Sequence, residues 1–220
     1  MQSHDQIGNR LTGDRVTALA DEAAIKAWAS IYLLSPQIPM LFMVEEWSAG
    51  TPFPFFSDMP PERRDETAKG QHKELRLSPE AGDPDKPEVT AALDPTDPAT
   101  FARAKIDWTE LDKPRHQAWL AWYRQLIALR RAEIIPLLPR IGGFSASYEM
   151  AGERAATVRW SLDDGSRLVL QANLSPDANP DLSICGGRRI WQHGLVETER
   201  LGPWPVALSF ELPGGADNLG

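Results

Sequence analysis

The 220-residue chain has a single cysteine, Cys185. No intramolecular disulfide can form, so cysteine usage gives no sign of an oxidising compartment. The lone thiol reads as packing rather than as a nucleophile, and no Cys/His cluster has the spacing of a zinc site. A Gly-rich phosphate loop, an EF-hand and a Ser/His/Asp set are also missing, so neither a metal nor a cofactor is expected. No apolar run approaches the ~20 residues that span a bilayer. The opening MQSHDQIGNR is polar rather than a signal peptide, which makes the cytoplasm the expected location and excludes a membrane partner. Positive charge is scarce too: 23 Lys and Arg face 31 Asp and Glu, a net charge of −8. That balance excludes nucleic acid, whose phosphates need a basic face.

What is present reads as a soluble globular protein, 42% hydrophobic and 25% charged, with room for one large domain or two small ones. Eight tryptophans are many for this length. They fill a core, or they stack on sugar rings through their apolar faces.

Residues 21 to 34 carry Ile25, Trp28, Ala29, Tyr32 and Leu33 at helical spacing. Asp21 suits the N-cap, and Pro36 and Pro39 stop the helix. Met40 to Val44, MLFMV, is short and apolar throughout and reads as a strand covered on both faces of a parallel α/β sheet. The stretch from 45 to 107 holds nine of the nineteen prolines and reads as a long loop, with an ordered aromatic opening, EEWSAGTPFPFF, and a solvated acidic middle. A second helix starts at Pro114 and presents Trp119, Trp122, Tyr123, Leu126 and Leu129 on one face, with Arg124, Arg130 and Arg131 elsewhere. Pro136 and Pro139 close it. Beyond Gly142-Gly143 the period becomes two, in Phe144/Ala146/Tyr148/Met150, Leu168/Leu170/Ala172/Leu174 and Val206/Leu208/Phe210/Leu212. With turns at Asp164-Gly165 and Gly186-Gly187, this predicts an antiparallel β-sandwich over 141–220, after an α/β part over 1–140.

Two polar groups stand out. His4, Asp5, Gln6, Asn9 and Arg10 crowd seven positions, as a solvated terminus or as the residues where a barrel strand ends in its loop. Glu45-Glu46-Trp47 follows the apolar run directly, where barrel sites form, although solvated glutamates and a packing Trp read equally well. His72, His116 and His193 are isolated and read as structural or exposed.

Taken in order, these segments resemble one family. HDQIGNR (4–10), SPQIPMLFMVEEW (35–47), TPFPFFSDM (51–59), GQHKEL (70–75), TFARAKIDW (100–108), HQAWLAWYRQLIALRR (116–131), QANLS (171–175) and LGPWPVALSFEL (201–212) are similar to the C-terminal portion of malto-oligosyltrehalose trehalohydrolases, within the α-amylase superfamily. The resemblance implies the last βα units of a (β/α)8 barrel followed by a C-terminal antiparallel β-sandwich. It implies retaining hydrolysis of the α-1,4 bond next to the trehalose end of a malto-oligosyltrehalose, with two carboxylates ~5 Å apart and a third that stabilises the distorted sugar. Asp5 matches that third carboxylate, His4 the histidine beside it, and Gln6, Asn9 and Arg10 the same substrate-binding loop; Glu46 and Trp47, by their place after the apolar run, are the further expected substrate contacts. Ser3 stands where the family has Asn, and Val44 where it has Gly.

The same resemblance places the nucleophile and the general acid upstream of HDQ. The expectation is therefore a chain that carries only the end of a barrel, a shape needing ~250 residues in full. Such a chain would be inactive without an N-terminal barrel segment as partner, its substrate being an α-glucan. The alternatives are a non-catalytic, glucan-binding or structural β-module, and an α-amylase-superfamily enzyme of other specificity.

Overall fold

A computed structural model of the chain describes residues 2–10, 12–76, 94–179, 182–195 and 201–214. Among the described residues five α-helices, α1 (His4–Gly8), α2 (Glu22–Leu34), α3 (Pro61–Arg76), α4 (Pro98–Arg103) and α5 (Pro114–Leu129), precede five strands, β1 (Ile141–Ala151), β2 (Ala155–Leu162), β3 (Arg167–Asn173), β4 (Arg188–Leu195) and β5 (Leu201–Glu211). Residues 1–20 and 40–121 form one compact unit, and residues 21–39 and 122–220 form another. Among the described residues no helix is long and apolar enough to cross a membrane.

In the second unit the strands form one antiparallel sheet in the order β1-β2-β3-β5-β4. The period-two pattern sets the register. Trp160, Leu168 and Phe210 align across the sheet, as do Val158, Leu170 and Leu208. Helix α2 lies against β3, β4 and β5 and covers the apolar side. The Trp191 indole N–H donates to the Ser30 hydroxyl at 3.2 Å, and Trp122 meets Trp191 and His193 edge to face. The other side of the central strands is also closed. Gln171 is buried there, donating to the Ser183 carbonyl (2.6 Å) and accepting from the Cys185 N–H (2.6 Å), so the segment after β3 is stitched over it. Cys185 itself is half-buried, and burial pushes its thiol pKa up, as expected of an inert packing residue.

Arg130, which the spacing places off the apolar face of its helix, is nevertheless enclosed by protein. It is buried, and its guanidinium donates to the carbonyls of Leu33 (2.8 Å), Ser35 (2.5 Å) and Gln37 (2.7 Å). These oxygens belong to the end of α2 and the turn beyond it, where helical carbonyls have no intrahelical donor. The residues after α5, Arg130–Ile134, form a π turn, which interrupts the helical period just where that arginine is presented.

Three further readings change. Met40–Val44 forms no strand, and Met40 and Met43 are exposed. A parallel strand exists only through its neighbours, and no described residue pairs with this one. The stretch 45–107 is not a loop throughout, since it contains α3 and α4. Helix α3 is polar all round, so it has no hydrophobic period to read and rests on its helix formers and Pro61 at its start. The acidic middle, residues 77–93, lies outside the described residues. Finally, Trp28 is exposed on α2, whereas Ile25, Ala29 and Leu33 of the expected stripe are buried together with Ala24, Ala27 and Leu34. Phe144, Tyr148 and Met150 of the edge strand β1 are exposed as well, which leaves their alternation uncovered.

His193 couples this unit to pH. Burial holds its imidazole below the ordinary 6.5, and Lys26 adds repulsion, against a hydrogen bond with the Ala23 backbone. The folded state therefore binds the proton less readily than the unfolded chain. The stability this contributes is complete above about pH 6.5 and is lost as pH falls from there toward the depressed folded value. Thermal midpoints measured from pH 7.5 to pH 5 should decline, and His193→Gln should flatten that decline; identical slopes in both proteins would contradict it.

Candidate functional site

The HDQ segment folds as a single helical turn because Ser3 caps it. The Ser3 hydroxyl accepts from the Asp5 N–H (3.2 Å), and the Gln6 side-chain oxygen accepts from the Ser3 N–H (2.7 Å), a reciprocal capping box. Asparagine at this position is an equally good cap, so the Ser3 departure preserves the turn. Ile7 and Gly8 are buried and anchor α1. A Cβ on Gly8 would sit 2.5 Å from the Phe55 ring, so only glycine allows this approach. The anchoring leaves His4, Asp5, Gln6 and Asn9 on the exposed side, with Arg10 half-buried. The side chains of His4 and Asp5 are 59% and 64% exposed, with His4 Nε2 at 3.2 Å from Asp5 Oδ1. The His4 ring meets the Phe55 ring edge-on, with centroids 6.2 Å apart.

The aromatic loop at 51–56 is thus the support of this turn. The Phe53 N–H donates to the Gly13 carbonyl at 2.8 Å, and Gly13, at φ +68°, has its Cα packed on the Pro54 backbone. Phe42, Phe53, Phe56 and Phe101 continue it as successive edge-to-face ring pairs.

The Glu45-Glu46-Trp47 motif sits in a tight turn bracketed by two left-handed residues, Val44 (φ 61°) and Ser48 (φ 58°). Arg15, which sequence reasoning passed over, clamps both ends. It is buried and donates to the carbonyls of Thr51 (2.6 Å) and Met43 (3.0 Å), with the Phe42 ring under its guanidinium. Burial pulls the Arg15 pKa down, opposed by the carboxylates of Glu45, Glu46 and Glu110. No local pattern marks an arginine nine residues beyond Gln6 as the clamp of a turn at 43–51; only the tertiary fold brings them together.

Glu45 is buried, Glu46 is half-buried, and Trp47 is buried. The Trp47 ring stacks near Trp108 (6.0 Å) and meets His116 edge-on (5.8 Å), while its carbonyl lies 2.9 Å from His116 Nδ1. In this chain that tryptophan packs a core cluster with Val44 and Ala49 rather than offering an open face. Among the described residues no group of three or more potential ligands is placed to hold a metal.

Val44 occupies the position where a glycine would be at ease. A β-branched residue in the left-handed region is strained, at a cost of roughly 1–2 kcal/mol. Part of that strain leaves with the γ-methyls, so Val44→Ala should destabilise less than Val206→Ala, the latter by about 2 kcal/mol. Equal losses in a denaturant titration would argue against strain at Val44.

Comparison with known proteins gives a consistent picture. Residues 143–208 match a family described as a domain of unknown function, DUF3459. The chain is 47% identical over 131 residues to a malto-oligosyltrehalose trehalohydrolase of Arthrobacter ramosus, covering 59% of this chain and 22% of that protein. It is 35% identical over 197 residues to a malto-oligosyltrehalose trehalohydrolase of Mycobacterium tuberculosis, covering 88% of this chain and 31% of that protein. A Salmonella typhimurium protein assigned as an alpha amylase superposes on 96% of this chain, and on 34% of its own length, with a TM-score of 0.83 and 30% identity. The chain therefore spans between about a fifth and a third of the length of these relatives. Its fold is that of the C-terminal part of the α-amylase family, barrel-end helices followed by an antiparallel β-domain.

Proposed function

The chain corresponds to the C-terminal part of the malto-oligosyltrehalose trehalohydrolases, glycoside hydrolases of the α-amylase family, and from that premise we propose that it supplies one wall of a retaining trehalohydrolase site. The observation that carries this reading is the His4–Asp5 pair, held on the exposed side of a capped turn whose other side is locked on Phe55. A carboxylate so placed can accept hydrogen bonds from sugar hydroxyls. Because the oxocarbenium-like transition state is more positive than the substrate, the Asp5 charge favours the transition state over the ground state, and only that difference raises the rate. His4 holds the carboxylate and adds a donor or acceptor of its own, and the Gln6 amide nitrogen, Asn9 and Arg10 contribute further polar contacts to the same sugar. Glu46 stands on the turn that Arg15 clamps and is the second substrate contact. Trp47 acts through packing, setting that turn.

In this proposal the nucleophile and the general acid come from barrel polypeptide upstream of HDQ, and the 220-residue chain does not hydrolyse glucan by itself. Exposed apolar side chains at Met40 and Met43 support such a covering partner. A second reading, cleavage of ordinary malto-oligosaccharides, draws on the similarity to the protein assigned as an alpha amylase. The two separate by product. The chain, joined to the upstream residues of a trehalohydrolase, would be given malto-oligosyltrehalose and unmodified malto-oligosaccharide side by side. Trehalose release with the new reducing end in the α-configuration supports the first reading. Equal cleavage of both substrates supports the second.

A further inference from the structure

The turn between β1 and β2 and the segment following β3 enclose an open groove of about 430 Å3, lined by Glu153, Arg154, Asn173, Ser175, Asp177 and Asn179. Its walls are tied together. The Leu174 N–H donates to the Arg154 carbonyl (2.7 Å), and the Asn179 amide donates to the Ala151 carbonyl (2.8 Å). The Asn173 amide donates to the Asp177 carbonyl (2.7 Å), and the Asp177 N–H donates to the Ser175 hydroxyl (3.1 Å). On the far side Trp204, held at φ 51°, donates its N–H to the Ser175 carbonyl (2.9 Å), which fixes the floor to the start of β5. Asn173 is 1% exposed, and only its amide nitrogen takes part in those bonds. At the rim Glu153, Arg154 and Asp177 are exposed and form no ion pair among the described residues.

We propose that this groove is a binding site for a neutral oligosaccharide, separate from the Asp5 turn and not dependent on the catalytic reading. Two carboxylates beside one guanidinium disfavour a phosphate, and the guanidinium disfavours a divalent cation. A sugar hydroxyl both donates and accepts, so a run of vicinal hydroxyls can serve carboxylate acceptors, guanidinium donors and the Asn173 and Ser175 oxygens together without a net charge to balance. The volume lies within the ~300–1,000 Å3 of small-molecule sites, and the cross-braced walls mean that little ordering is required on binding.

The test is a backbone amide NMR titration of the full chain with maltotriose, with inorganic phosphate and calcium chloride as separate probes. The expected result is saturable shifts at 152–154 and 173–179 with maltotriose, little change with the two ions, and about tenfold weaker binding in both Arg154→Ala and Asp177→Ala. These side chains are exposed, so the spectra of the variants should otherwise match the parent. Absence of shifts in the groove with maltotriose, shifts that the variants leave unchanged, or stronger shifts with phosphate or calcium would each overturn it. Shifts confined to residues 4–10 would also overturn it, while supporting the Asp5 reading.

Discussion

Asp5→Asn, made in the chain joined to upstream trehalohydrolase residues, is expected to lower kcat by about a thousandfold while KM changes far less. The asparagine keeps the size and hydrogen-bonding reach of the side chain and removes its charge. The interaction lost is thus the one that strengthens as positive charge builds on the sugar ring, and such a loss appears in kcat. Stability should be untouched, because Asp5 is exposed and the fold of its turn depends on Ser3, Gln6, Ile7 and Gly8 instead. Steady-state kinetics with a thermal scan of both proteins checks this. A similar loss in kcat/KM carried wholly by KM would reduce Asp5 to a uniform binding contact, and full activity would remove it from the mechanism.

Arg130→Ala should be the most damaging substitution away from the site. It strips the donors from the carbonyls of Leu33, Ser35 and Gln37, near the end of the helix that covers the sheet. A buried acceptor left without a partner costs about 1–3 kcal/mol, more where the lost donor was charged. With three acceptors affected and some relief by entering water, the total is roughly 3–5 kcal/mol. For a chain of this size that is a fall of about 10 °C in Tm. Arg130→Lys should fall between the two, since an ammonium keeps the charge but cannot fork across three oxygens. Thermal scans in parallel give the order wild type, Lys, Ala; an alanine variant within about 1 °C of wild type would show that the carbonyls need no guanidinium.

Those two predictions also mark where the sequence was legible. The helices at 22–34 and 114–129 and the alternation at 168–174 and 206–212 stand out because apolar residues recur there at the period of the element that forms. Where no side is buried the period vanishes, and α3 went unseen among prolines and charges. The strand expected at Met40–Val44 failed for the opposite reason: its composition suits a covered strand, but strand hydrogen bonds come from neighbours. Of the candidate site residues, His4, Asp5 and Glu46 drew notice as clustered polar residues, and the structure places His4 and Asp5 exposed on α1 and Glu46 half-buried in its turn. The buried arginines, Arg15 and Arg130, were not legible. Each bonds to backbone carbonyls far away in sequence, and a carbonyl leaves no trace in the identity of its residue. Trp47 was ambiguous because one side chain serves equally in packing and in sugar stacking, and only its neighbours, Trp108 and His116, decide.

The most direct test of the account is to measure trehalose release from malto-oligosyltrehalose by the purified 220-residue chain alone, and by the same chain joined to the upstream barrel residues of a curated trehalohydrolase. The account predicts no turnover by the chain alone and trehalose release by the joined protein, slowed about a thousandfold by Asp5→Asn. Turnover by the chain alone, or a joined and folded protein that releases no trehalose, would contradict it.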